Sequence, residues 1–137
     1  MRLLFLIPAV ILTGMIILSL LSHRGKPKGL VDGKLAPLPM KPNCVSSESG
    51  TDEDKAVLPL PTDKDGLKDA IDATGGTITS ESDDYISTTY TSGIMRFVDD
   101  VEFRRDGPVW QVRSASRVGH SDMGANRKRV DAIRAAL

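Results

Sequence analysis

Residues 85–118 read YISTTYT-SG-IMRFVDDVEFRR-DG-PVWQVRSASRV, and the alternation of apolar and polar side chains along this stretch decides the fold. Three runs rich in β-branched and aromatic residues are separated by two glycine-containing turn signals, Ser92-Gly93 and Asp106-Gly107. Runs of this kind form strands, and Asp-Gly between them is a hairpin signal. The spacing predicts strands over 85–91, 94–104 and 109–118. With Ser92-Gly93 central in the first turn, Tyr90 faces Met95, Thr88 faces Phe97 and Tyr85 faces Asp100. With Asp106-Gly107 central in the second, Phe103 faces Trp110, Val101 faces Val112 and Asp100 faces Arg113. The two turns agree on parity. Ile86, Tyr90, Met95, Phe97, Val101, Phe103, Trp110 and Val112 share one face, the expected core. The opposite face collects Tyr85, Ser87, Arg96, Asp100, Glu102, Gln111, Arg113 and Arg117. Asp99 falls on the apolar face, where it is expected to bond to backbone or mark a bulge.

Working outward, Thr77–Ser80 adds a strand before this run. Thr62-x-x-Asp65 resembles a capping box, with Thr62 capping a helix whose buried stripe is Leu67, Ala70, Ile71 and Thr74. Gly75-Gly76 stops that helix, since glycine tolerates the positive φ of a helix end. Ala56–Pro61 reads as an extended apolar strip, and Asn43–Glu48 as a short strand. Downstream, a helix starts near Ala125, with Asn126, Val130, Ile133 and Leu137 inward and Arg127, Lys128, Arg129 and Arg134 in solvent. Ser121 or Asp122 caps it. Basic residues in its first turn oppose the helix dipole. They are therefore expected to answer acidic groups within 48–84 or an anionic ligand. The fold class is α+β. A mostly antiparallel sheet in the order β-α-β-β-β-β-α carries two helices on one face, preceded by a single N-terminal transmembrane helix.

That N-terminal helix is Leu3 to Leu21, 19 residues without a charge. At about 1.5 Å per residue it reaches roughly 28 Å, close to the hydrocarbon core of a bilayer. The run is long for a cleavable signal and no small-x-small site follows it, so residues 1–24 read as an anchor or uncleaved signal. The bilayer is the expected partner of residues 3–21. Residues 25–42 hold three glycines and four prolines and read as an extended tether. Residues 43–137 form the soluble domain. The net charge is zero, but residues 1–40 and 96–137 are basic while 41–95 are acidic. Arg24, Lys26, Lys28 and Lys34 follow the span and only Arg2 precedes it, which by the positive-inside rule leaves the domain in the cytoplasm.

Two clusters could form a site. On the polar sheet face, Tyr85, Asp100, Glu102, Arg113 and Arg117 could take a small anionic or polar ligand, with an arginine as the fork. The alternative is a cross-strand ladder of salt bridges on a solvated face, worth about 0.2–1 kcal/mol per pair. The second cluster is the glycine-broken segment His120, Ser121 and Asp122, with Asn126 and Arg127 on the helix that follows. Its backbone N–H groups could hold an anion. The residue types of a nucleophilic triad are present, but adjacent positions rarely give the geometry. No spacing suits a metal, and no motif calls for a cofactor. Basic and aromatic residues do not interleave, which argues against nucleic acid. Cys44 is a lone thiol.

Three stretches carry a family likeness. They are Asn43-Cys44-Val45-Ser46-Ser47, then Phe97-Val98-Asp99-Asp100-Val101-Glu102-Phe103, then Val112-Arg113-Ser114-Ala115-Ser116-Arg117-Val118-Gly119-x-Ser121-Asp122-x-Gly124-x-Asn126-Arg127. They resemble the domain of unknown function 1499 family over about residues 41–137. The resemblance implies an extracytoplasmic address, against the charge count, and implies no activity. Where this chain has His120 the family pattern expects tyrosine, so no essential base is implied there. The expected function is a membrane-tethered, non-enzymatic ligand-binding or accessory module of the cell envelope. One alternative is a hydrolase-like enzyme on a lipid or envelope substrate, using Ser121, His120 or Cys44. Another is a structural subunit with a membrane-protein partner.

Overall fold

The computed structural model describes residues 2–137; Met1, first residue of the expected anchor, lies outside them. The N-terminal helix α1 spans Arg2–Ser22, and by length and composition it can cross a membrane. Two short strands follow, β1 (Leu30–Val31) and β2 (Lys34–Leu35), closed as a small hairpin. Next come β3 (Cys44–Ser46), a single 3-10 turn at Glu53–Lys55, helix α2 (Lys64–Ala73) and strand β4 (Thr77–Glu81). Strands β5 (Tyr85–Thr91), β6 (Val98–Asp106) and β7 (Val109–Ser116) lead to the last helix, α3 (Ala125–Ala135). From β3 to β7 every pairing is antiparallel, in the spatial order β3-β7-β6-β5-β4. The fold is α+β with the element order read from the sequence, plus the β1–β2 hairpin.

Parity holds while both registers slip. In β6–β7, Asp106 pairs with Val109, so the two loop residues are Gly107-Pro108 rather than Asp106-Gly107. Gly107 takes φ +60 at the first loop position. Proline fixes a negative φ at the second, the arrangement of a type II′ turn. Phe103 therefore faces Val112, Val101 faces Ser114, and Glu102 rather than Asp100 faces Arg113. In β5–β6, Thr91 pairs with Val98 and the loop is 92–97. Strand β6 starts at Val98 instead of Ile94, and Tyr85 faces Arg104 rather than Asp100. Met95, Arg96 and Phe97 leave the sheet for this loop. The loop is held against the last turn of α1. His23 Nε2 sits 2.8 Å from the Arg96 carbonyl, and the Val98 N–H donates to Ser22 Oγ at 3.1 Å. Both slips are even in residues, so each strand residue keeps its face.

One face of the sheet is the apolar core. Ile86, Tyr90, Val101, Phe103, Trp110, Val112 and Val45 meet Leu67, Ala70 and Ile71 of α2 and Val130 and Ile133 of α3. Leu60 of the apolar strip seals the edge, its backbone exchanging hydrogen bonds with Trp110. Asp63, not Thr62, caps α2, because its carboxylate reaches the Gly66 N–H at 2.7 Å. Leu137 lies beyond the end of α3 and is exposed rather than inward. Asp99 does lie on the helix side, and it neither bonds backbone through its side chain nor marks a bulge. It pairs with Arg129 of α3 at 2.8 Å.

Phe103 is fully enclosed at the centre of this core. Phe103→Ala should cost about 3–5 kcal/mol. A urea titration of the full chain in detergent, followed through Trp110 fluorescence, will show the loss. A cost below ~1 kcal/mol would place the core elsewhere.

Candidate functional site

The polar face of the sheet is roofed by the chain between α1 and β3. Leu35 and Ala36 lie buried against it. Beneath them Glu102 is 0 % exposed and Arg113 3 % exposed. Carboxylates and guanidinium groups are taken out of water only when their bonding is met. Here it is met from both sides. Glu102 Oε1 accepts from the Tyr85 hydroxyl at 2.6 Å and from the Gly29 N–H at 2.7 Å. Its other oxygen lies 3.5 Å from Arg113 Nη1. Arg113 Nε donates to the Ala36 carbonyl at 2.9 Å, and Nη2 reaches that of Pro37 at 3.4 Å. Burial, then the Glu102 carboxylate, pushes the Tyr85 hydroxyl far above its usual range. It stays a donor.

Two more ion pairs flank this centre. Arg117 holds Asp100 through two bonds of 2.8 Å and also donates to the Ser22 carbonyl at the end of α1, at 3.0 Å. A Cβ on Gly25 would come 2.6 Å from the Arg117 side chain, so glycine is what lets the chain pass this close. On the far side Arg104 holds Glu48 at 2.7 and 3.1 Å, and Glu48 also accepts from the Leu35 N–H. Burial alone would raise the Glu48 pKa, but Arg104 and the Leu35 N–H outweigh it and bring it below the usual range. The proline- and glycine-rich segment lies on the sheet as a fitted cover through these bonds.

The second cluster is anchored on the other face. Asn126, fully buried, takes a 2.6 Å bond from Ser114 Oγ. Its amide nitrogen lies within 2.9 Å of the Asn43 carbonyl and Ser116 Oγ, and 2.7 Å from Asp122 Oδ2. The N-cap position of α3 is Gly124, not Ser121 or Asp122, and Asp122 accepts the N–H groups of Gly124 and Asn126 from just before it. Burial would raise its pKa, but these bonds bring it down. Arg129 joins Asp99 to Asn126 and lies over the Tyr90 ring, 5.1 Å from its centre. Burial nonetheless leaves Asp99 above the usual range. Arg127 donates to the carbonyls of Asp54 and Ala56, and Arg134 to those of Leu58 and Pro59. The basic residues of α3 thus answer backbone carbonyls and Asp99, where acidic side chains of 48–84 or a ligand were expected. Only Lys128 of the four stays fully in solvent.

His120 and Ser121 are exposed and not hydrogen-bonded to each other. Cys44 is buried, with its thiol 3.2 Å from the Lys41 carbonyl, and burial pushes its pKa up. A protonated, enclosed thiol is a poor nucleophile. Among the described residues no buried side-chain nitrogen or oxygen lacks a partner, and no three metal-ligating side chains converge.

More than one cleft borders the cover. A cleft of about 470 Å³ runs between the cover and β7, beside the end of α1. Lys26, Lys28 and Lys41 line it, with the edges of Arg113 and Arg117. Its one acidic residue, Asp100, is taken by Arg117. These three lysines make no ion pair among the described residues, and they lie in the segment that the sequence reads as a tether. A cluster of basic residues just after an apolar span was the available signal.

A family model described as a protein of unknown function, DUF1499, matches residues 34–137. No curated protein matches the chain.

Arg113→Ala removes one half of a sealed pair and strands the Glu102 charge. The expected cost is about 3–5 kcal/mol, read as a lowered urea midpoint. A midpoint within ~0.5 kcal/mol of the unsubstituted chain would mean that this face is open to water.

Proposed function

We propose, for a chain that belongs to the DUF1499 family of proteins of unknown function, a membrane-tethered and non-enzymatic module that receives an anionic group at the bilayer surface. The lysine-lined cleft beside the end of α1 is the observation that carries this reading. Three cations without carboxylate partners, backed by two arginines, raise the local potential for a phosphate or carboxylate. Arg117 links the cleft to the span, because it bonds both Asp100 and the last carbonyl of α1. Tyr85, Glu102 and Arg113 serve the site from beneath by holding the cover in place. His120, Ser121, Asp122, Asn126 and Arg127 shape its neighbour, the turn into α3, and Gly119 brings that turn to the cleft wall.

A binding role is supported over a hydrolytic one by the state of the nucleophiles. The thiol is enclosed and protonated, and among the described residues Ser121 has no base in hydrogen-bond reach. The ligand chemistry is a phosphate or carboxylate, presented either by a lipid head group or by a small molecule. The domain faces the outside of the cytoplasm in this reading, supported by the family resemblance; a reporter fused after Leu137 should be active only there.

The full chain in phosphatidylcholine nanodiscs, titrated with glycerol phosphate, should show saturable amide shifts at Ala115, Ser116 and Gly119. Discs containing phosphatidylglycerol should show the same shifts without added ligand if the source is lipid. Each exposed cation contributes about 0.2–1 kcal/mol. Replacing Lys26, Lys28 and Lys41 together by Gln should therefore weaken binding roughly tenfold. Silence at these amides in both arms overturns the reading.

A further inference from the structure

The loop between β5 and β6 touches the end of α1. Its carbonyl at Arg96 lies 3.4 Å from Ser19 Oγ and 2.8 Å from His23 Nε2. Ser19 and His23 are four residues apart, one turn of helix. The loop therefore lies alongside the last turn of α1, not beyond its end. The contact is built rather than incidental. The Ser19 and Ser22 side chains are buried by it, and Ser22 Oγ accepts from the Val98 N–H. The loop is also closed on itself. Ser92 N–H donates to the Phe97 carbonyl at 2.8 Å, and Phe97 N–H donates back to Ser92 Oγ at 2.9 Å. Arg96 holds φ +56, a left-handed conformation uncommon for a side chain of its size.

At the tip of this fastened loop Ile94 is 96 % exposed, while Met95 and Phe97 are half-buried behind it. Met40 and Met123 are about as exposed, but of the three only Ile94 sits on the loop bonded to the last turn of α1, and burying an isoleucine is worth about 1.5–3 kcal/mol. On α1, Ile16, Ile17, Leu20 and Leu21 are likewise exposed.

We infer that the 92–97 loop is a second membrane contact, with Ile94 inserted at the boundary between head groups and acyl chains. This rests on α1 spanning the bilayer, as proposed above. Two points of attachment, the helix and the loop, would fix the tilt of the domain and hold the lysine cleft against the lipid surface. Apolar side chains set at interfacial depth act in this way in peripheral anchors.

The test uses the full chain with Cys44→Ala, reconstituted into phosphatidylcholine–phosphatidylglycerol vesicles, carrying a single NBD probe. The probe is placed in turn at Ile94→Cys, at Leu12→Cys in mid-span, and at Leu58→Cys on an exposed loop. The expected result is a blue-shifted Ile94 probe, quenched by shallow spin-labelled lipid and shielded from aqueous iodide. The Leu58 probe should be water-like and the Leu12 probe quenched by deep labels. If the Ile94 probe matches the Leu58 probe while the Leu12 probe sits in hydrocarbon, the loop contact is overturned and the span stands. If the Leu12 probe is also in water, the span fails and takes this inference with it. An Ile94 probe shielded from iodide but unquenched by any lipid label points to a protein neighbour and overturns the lipid assignment.

Discussion

The buried pairing of Glu102 with Arg113 is the constraint to which the rest of the molecule conforms. Side by side on adjacent strands, these two groups leave water only because the chain before β3 folds back over them. An ion pair in a low-dielectric interior is costly to form and more costly to break on one side. Each contact that offsets the cost comes from a separate place: the Tyr85 hydroxyl from β5, the Gly29 N–H and the Ala36 carbonyl from the cover. The sheet thus has two interiors. One is apolar and closed by α2 and α3. The other is polar and closed by irregular chain whose backbone groups do the bonding that helices cannot spare.

The same logic runs through the residues that bear the family likeness. Arg113 on β7 and Arg117 just after it point to the polar interior, while Ser114 and Ser116 point to Asn126 on the helix side. Gly119 and Gly124 hold φ +86 and +80, the left-handed conformations that let the chain turn from β7 into α3. Asp122 then accepts the Asn126 N–H in the first turn of that helix. A long motif of alternating arginine and serine is, in this molecule, one strand read from both faces. Its chemistry is structural first, and the cleft uses only the outer edges of its arginines.

Which residues share a face was legible in the sequence, because side-chain alternation has a period of two and survives any even slip. Which residues face each other was not. Gly107-Pro108 and Asp106-Gly107 are both plausible turn centres, and only the pairing of Asp106 with Val109 distinguishes them. The wide loop at 92–97 depends on the end of α1, some seventy residues away in sequence, and no local pattern announces it. The cover was invisible for a related reason. Leu30, Val31, Leu35 and Leu38 follow no period, since a segment that packs through carbonyls and single side chains needs none. Reading Glu102, Arg113 and Tyr85 as a wet ladder or an open site followed directly from missing it.

Amide hydrogen exchange at Gly29, measured on the intact chain, tests the central claim most directly. If the Glu102–Arg113 pair is sealed by the cover, the Gly29 amide is protected on the time scale of the β6 strand amides, because its acceptor is the buried carboxylate. Exchange at Gly29 as fast as in a free linker, with β6 still protected, would show an uncovered sheet and contradict the account.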